Sequence, residues 1–451
     1  MVTLSEGIED NSSNKKWHSN YRTAMGLALL SLILTLSTWA LTDMPIIRND
    51  TWQYVRISEN VLKYCSYSLS TEGQYPTAKR LPGYPFFLLL FIKAWPKSAF
   101  LVSIIQSLMF ASCVALSYLI SIKINLNRQA SILAALLMMT DLTFIGFSKS
   151  ILSDVPAAFF FYLSCFLINK SSSIYSLLLS GIFFAFAALH RPNILALVPI
   201  LFFFLFINID RMHSKKKFLI FFSARTICIL LPFTLLGGAW VIRNYRAFGY
   251  LTYTTWKGSG LISQLNHFLS ASDLNYNLDY EKLSQVVLDK YIEENPKLKS
   301  PETLIYNNNN PLIETKEFLN YQVMFFKEKS RLIKETFMFA IPSNYLNSIF
   351  QRGNRELIPC KLFGREIGWI WTILHSLITC FGLMIMLFFS LAKHFCYKFL
   401  KLLILFFLSS IFIIATSYFS PEFPLRFLFP ISMFLYICSA YGLDITHKIV
   451  T

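Results

Sequence analysis

The chain is 451 residues long, 55% hydrophobic, 16% aromatic and only 15% charged. Ordinary soluble domains are about 25% charged, so too little charge is present to cover the surface of a soluble fold of this length, and the counts of Gly, Pro and Cys exclude collagen-like, disordered and disulfide-scaffold classes. The net charge of +16 does not indicate nucleic acid, because the basic residues punctuate apolar runs instead of forming one basic face; anionic lipid head groups or a phosphorylated lipid substrate account for it.

A helix needs about 20 mostly apolar residues to cross a bilayer. In chain order the apolar runs predict spans near 23–42, 99–121, 130–148, 153–169, 173–190, 193–209, 218–240, 367–391, 400–418 and 425–443. The first run is too long for a signal peptide and lacks a small-residue cleavage site, so it is expected to remain as a span. Gly83 to Trp95 is apolar but only about a dozen residues, a length suited to an interfacial or re-entrant helix. If it does not cross, one side of the membrane collects Lys15, Lys16, Arg22, Lys123, Arg128, Lys170, Arg211, Lys215, Lys216, Lys217, Lys393, Lys398, Lys401 and Lys448. The positive-inside rule then puts both termini in the cytoplasm. If it does cross, the cluster at 211–217 moves outside, against that rule. The expected fold is therefore an all-α polytopic membrane protein with about ten transmembrane helices. Interfacial helices are expected in the first external loop, 43–98, followed later by a long second external segment with amphipathic stretches near 280–293 and 315–340.

Of the cysteines, Cys113, Cys165, Cys228, Cys380 and Cys438 fall inside predicted spans, where a thiol simply packs. Cys396 lies on the cytoplasmic side and should stay reduced. Cys65 and Cys360 are the external pair that a disulfide could join. No Cys/His spacing suggests zinc, and no Walker or dinucleotide glycine pattern is present.

The polar residues at the predicted external ends carry the chemistry. Asn49-Asp50-Thr51-Trp52-Gln53-Tyr54 opens a surface helix in which Asp50 either caps the helix, with Gln53 as capping-box partner, or serves as a general base; the roles are compatible. Tyr54, Ile57, Val61 and Tyr64 recur at helical spacing. Arg80-Leu81-Pro82-Gly83-Tyr84-Pro85 precedes the short apolar helix, where a guanidinium fork suits phosphate or merely snorkels. Ser153-Asp154-Val155-Pro156 begins the fourth span, either as a cap or as a second acid at the depth of Asp50. His190-Arg191-Pro192-Asn193 and Trp240-Val241-Ile242-Arg243-Asn244-Tyr245 fall on the same side. Trp256-Lys257-Gly258-Ser259-Gly260 is a flexible turn or a phosphate nest, and Glu422 and Arg426 flank Pro424 in the last external loop.

In this order the motifs N-D-x-x-x-Y, R-x-P-G-Y-P, S-D-x-P, R-P-N, W-x-x-R-N-Y and P-L-R-F-x-x-P resemble integral-membrane glycosyltransferases of the GT-C class. The relatives of protein O-mannosyltransferases and of lipid A aminoarabinose transferases are the most similar, over about residues 20–265 and 367–445. The resemblance implies a polyprenyl-phosphate-linked sugar as donor, used on the periplasmic or lumenal face, with Asp50 as catalytic base and Asp154 as a second functional acid. It also implies that Arg80 and Arg243 handle the lipid phosphate. Arg191, Arg426 and Lys257 complete the expected phosphate-binding set, and Tyr54, Tyr84, Tyr245 and Glu422 are expected to contact substrate. Many members have paired acids where this chain has Asn49-Asp50, so a divalent metal stays open and no other cofactor is implied.

The expected division is a cytoplasmic N-terminus (1–22), a catalytic transmembrane module (23–266), an external segment (267–366) and C-terminal transmembrane helices (367–451). The expected partners are the lipid-linked sugar, a glycan, lipid or protein acceptor and the bilayer, with no nucleic acid; the location expected is a bacterial inner membrane. A lipid phosphate is stable as a leaving anion, so an inverting transfer needs one base and positive charge on the phosphate. The two-carboxylate arrangement of glycosidases is not required. Rival readings are a transporter or flippase, for which Asp141, Arg225 and His375 would be the intramembrane ionisable residues, and a non-catalytic subunit of envelope polysaccharide assembly.

Overall fold

The computed structural model describes residues 6–41, 47, 49–70, 72–74, 76–170, 173–209, 215–249, 251–254, 374–387, 401–409 and 424–450. Lys257, Glu422, Cys360, Cys396, the stretches near 280–293 and 315–340 and the side chain of Arg426 lie outside this description.

Among the described residues the regular structure is helical. The helices are α1 (Glu6–Ser37), α2 (Asn49–Tyr64), α3 (Gly83–Leu89), α4 (Ala99–Lys123), α5 (Arg128–Met139), α6 (Leu142–Lys149), α7 (Asp154–Lys170), α8 (Ile174–His190), α9 (Val198–Ile209) and α10 (Lys215–Phe248). Near the C-terminus follow α11 (Leu374–Leu387), α12 (401–409) and α13 (Pro424–Val450). Each predicted span overlaps one or more of these helices. By length and composition, two described helices can cross a bilayer alone, Ala99–Lys123 and Leu219–Phe248, or three if the bent pair α5–α6 is one span. The remaining apolar helices are shorter, such as Ile174–His190 and Pro430–Ile445.

Two elements differ from the sequence expectation. The first helix begins at Glu6, well before the apolar run, and its polar extension is fastened to α4: the Lys123 ammonium lies 4.2 Å from the Trp17 ring centroid, and Tyr118 donates to Asn20 at 3.1 Å. The run 130–148, expected as one span, is broken and bent by 56° between α5 and α6. Asp141 causes the break. Its carboxylate accepts the Thr143 amide at 3.0 Å as the N-cap of α6 and also accepts the Tyr436 hydroxyl from α13. His375 on α11 reaches the Leu137 carbonyl at 2.7 Å with Nε2, which must therefore be the donor, and its ring stands edge-on to Tyr436. The intramembrane Asp and His that a transporter would use for ions are here helix-break and packing groups.

The core lies where α4 meets α1, α5 and α7, and where α8 lies between α7 and α10. Small residues permit the closest approaches. Gly181 on α8 faces the Ile229 backbone of α10, and Ser164 and Ser180 hydrogen-bond between α7 and α8 at 2.8 Å. The Gly83–Trp95 run forms the seven-residue α3 and a 3₁₀ turn, Ile92–Ala94, as its length required.

Asp141→Ala removes a cap worth about 1 kcal/mol and the carboxylate that accepts the buried Tyr436 hydroxyl, for about 2–4 kcal/mol in total. Thermal unfolding in detergent should fall accordingly, and adding Tyr436→Phe should make it no worse. A further loss in the double variant would disprove the pairing.

Candidate active site

The site is built at the end of the bundle where α2 and α3 cover the ends of α6, α7, α8 and α10. The amphipathic α2 is pinned there by polar contacts: Thr51 donates to the Ile151 carbonyl at 3.0 Å, the Tyr54 hydroxyl meets Ser153 Oγ at 3.1 Å, and Ser58 donates to the Pro85 carbonyl at 2.8 Å. At the start of α3, a Cβ on Gly83 would lie 2.6 Å from His190 Nδ1 and 2.7 Å from the Leu189 carbonyl carbon. Only glycine allows the Arg80–Pro85 motif this close to the end of α8.

Two acid–arginine pairs result. Arg80 Nη2 donates to Asp50 Oδ1 at 2.6 Å, its Nε donates to Gln53 Oε1 at 2.9 Å, and its guanidinium carbon lies 5.2 Å from the Tyr54 ring centroid. The second pair joins Arg191 Nη1 to Asp154 Oδ1. Exposure separates their uses. The side chains of Arg80 and Asp50 are 15% and 24% exposed, whereas Asp154 is fully enclosed. A ligand from outside the bundle therefore meets the first pair, while the carboxylate of the second is closed to it.

Tyr84 links the two. Its ring stacks edge-on against Tyr54 with centroids 4.8 Å apart, and its hydroxyl donates to Gln106 Oε1 at 2.6 Å. Burial, and then the nearby Tyr54 and Asp154, push the Tyr84 hydroxyl well above the ordinary phenol range, so it remains a neutral donor. Gln106 passes the chain on by donating to the Ser150 carbonyl at 2.5 Å.

Arg243 is placed differently from the other arginines. Nη1 donates to the Thr77 carbonyl at 2.8 Å and Nη2 to the Tyr67 carbonyl at 3.0 Å, with the guanidinium 5.0 Å from the Trp240 ring centroid and 5.3 Å from that of Tyr67. Tyr67 in turn donates from its hydroxyl to the Arg80 carbonyl at 3.0 Å. Arg243 thus holds the loop that carries Arg80. Tyr245 is exposed on α10.

The structure brings Asp50, Arg80, Tyr54, Tyr84, Asp154 and Arg191 into one connected arrangement, with Arg243 behind the loop. The sequence pattern gave Gln53 only a capping role and did not single out Gln106, which is buried. A glutamine within an apolar run was the available signal. Among the described residues no three His, Cys, Asp or Glu side chains gather as a metal site, and Asp50 and Asp154 are each engaged by an arginine.

Residues 51–243 match the family model described as dolichyl-phosphate-mannose-protein mannosyltransferase. The fold is similar to that of an archaeal oligosaccharyltransferase. Among solved structures, the chain is similar to the Archaeoglobus fulgidus oligosaccharyltransferase in the apo form, at 11% identity and a TM-score of 0.51, covering 95% of this chain and 51% of that one. It is also similar to AglB from the same organism in complex with an inhibitory peptide and a dolichol-phosphate, at 12% identity and a TM-score of 0.50, covering 95% and 50%. ArnT from Cupriavidus metallidurans in the apo state is matched at 10% identity and a TM-score of 0.37, covering 93% and 77%. The chain spans about half the length of the archaeal oligosaccharyltransferase. No curated protein sequence matches it. The GT-C resemblance read from the motifs is borne out, and the chain is an integral, multi-pass membrane protein.

Arg243→Ala should loosen the loop without displacing α2. Each lost charge-assisted bond is worth about 1–3 kcal/mol, so deuterium uptake at the Thr77 amide, which donates to the Tyr67 carbonyl at 3.0 Å, should accelerate by about tenfold or more. Unchanged protection over 66–80 would disprove this role.

Proposed function

We propose that the chain is a glycosyltransferase that moves a sugar from a polyprenyl-phosphate donor to an acceptor hydroxyl, with inversion, on the external face of a membrane crossed by about ten helices. The carrying observation is the partly exposed Asp50–Arg80 pair at 2.6 Å, placed at the bundle end by a segment whose family model is named for a dolichyl-phosphate-linked donor.

The chemistry follows from the two groups. Asp50 takes the proton of the acceptor hydroxyl as its oxygen attacks the anomeric carbon. The bond from that carbon to the phosphate oxygen breaks, and its electron pair leaves with the phosphate beside Arg80. The leaving anion is stable, so no general acid is called for. A guanidinium fixed before the reaction stabilises developing charge without reorganising, and Gln53 together with the Tyr54 face supplies that fixation. Asp154 and Arg191 act in this reading as a buried, neutral support under Tyr54 and Ser153. Arg243 positions the Arg80 loop, and Arg426, Lys257, Glu422 and Tyr245 remain candidates for further donor and acceptor contacts. The cytoplasmic side of the two termini and the external side of loop 43–98 follow from the positive-inside argument.

The test is release of polyprenyl phosphate from dolichyl-phosphate-mannose and related lipid-linked sugars by the purified protein. Asp50→Asn should lower turnover by about 10²–10⁴, and Arg80→Ala by about 10²–10³, in variants that fold normally. Near-normal turnover by Asp50→Asn would remove it as the base. A wild-type protein inert toward every polyprenyl-phosphate sugar would overturn the function.

A further inference from the structure

Resting on the proposed function, we infer that the Asp50–Arg80 ion pair is a donor-operated latch: the base is held by its own phosphate-binding arginine until a lipid phosphate takes that arginine over. Arg80 Nη2 lies 2.6 Å from Asp50 Oδ1. A carboxylate oxygen so engaged has a lone pair committed to a cation and is a weak proton acceptor. Arg80 itself is not free to follow Asp50 elsewhere, since Nε is held by Gln53 at 2.9 Å and the guanidinium lies against the Tyr54 ring.

Among the described residues no partner meets Nη1 of Arg80. An incoming phosphate can contact that nitrogen first and then compete for Nη2. Once it does, Asp50 gives up its Arg80 contact and gains an anionic neighbour, and both changes favour proton uptake by a carboxylate. The base therefore becomes effective only when a leaving group is present, and binding is ordered, donor before acceptor activation. After transfer the protonated Asp50 returns its proton to water, polyprenyl phosphate departs, and the pair re-forms. Asp154 is excluded from this role because its pairing with Arg191 is enclosed.

The experiment is equilibrium binding of dolichyl phosphate to the full chain in nanodiscs, read as a double-mutant cycle over Asp50→Asn and Arg80→Gln. The latch predicts that Asp50→Asn binds the lipid phosphate more tightly, by about fivefold for a partly exposed pair. It also predicts that this gain disappears in the Arg80→Gln background. No gain in Asp50→Asn, or an equal gain in both backgrounds, as mere removal of negative charge would give, overturns the latch. Asp50→Ser provides a second variant should Asp50→Asn fold poorly. The two readings separate cleanly. If the wild type binds and Arg80→Gln weakens binding while the cycle shows no coupling, only the latch fails. If the wild type does not bind dolichyl phosphate, the donor assignment fails and the latch with it.

Discussion

An ionised side chain at the edge of an apolar bundle needs a counter-charge within reach, and the architecture of the site follows from that constraint. Asp50 and Asp154 each take an arginine from a different part of the chain. Pairing Asp50 requires that the loop bearing Arg80 return to α2, and pairing Asp154 requires that α8 end where α7 begins. Gly83 permits the first and the turn after His190 supplies the second. Two short-range electrostatic requirements thereby set how α2, α3, α7 and α8 meet.

The supporting contacts are mostly side chain to backbone. Arg243, Tyr67, Thr51 and Thr254 all place a donor on a carbonyl of a neighbouring irregular segment, and Ser58 places one on the Pro85 carbonyl of α3. Irregular backbone near a membrane has few water molecules to satisfy it, so such donors both hold the loop and meet its hydrogen-bonding demand. The aromatic faces of Tyr54, Tyr84, Tyr67 and Trp240 fill the space between these polar links. A site of this kind is stiff where it grips Arg80 and reachable where Asp50 faces outward, which suits chemistry that depends on fixed charge more than on moving parts.

The buried polar residues away from the site have a different account. Asp141, Tyr436 and His375 join the α5–α6 break to α11 and α13. This ties the C-terminal helices to the half of the chain that carries the site. Intramembrane ionisable residues are a functional hypothesis by default, but here each has a partner that accounts for its placement.

Apolar run lengths determined the helical class and the positions of α4, α7, α8 and α10, because a bilayer-crossing helix must be long and apolar in sequence before it can be so in space. The motifs likewise exposed Asp50, Arg80, Asp154 and Arg191 as candidates, since charged residues at the ends of apolar runs stand out without any alignment. What the sequence left undetermined is who pairs with whom. Asp50 lies next to Gln53 in a helix-capping pattern, yet Gln53 accepts from Arg80 instead; Arg243 has the same fork as Arg80 but faces two carbonyls. Asp141 sits in an unbroken apolar run and nevertheless interrupts it, because Tyr436 is available nearly three hundred residues later. Partners separated by tens to hundreds of residues are chosen by packing, and only the tertiary structure decides them.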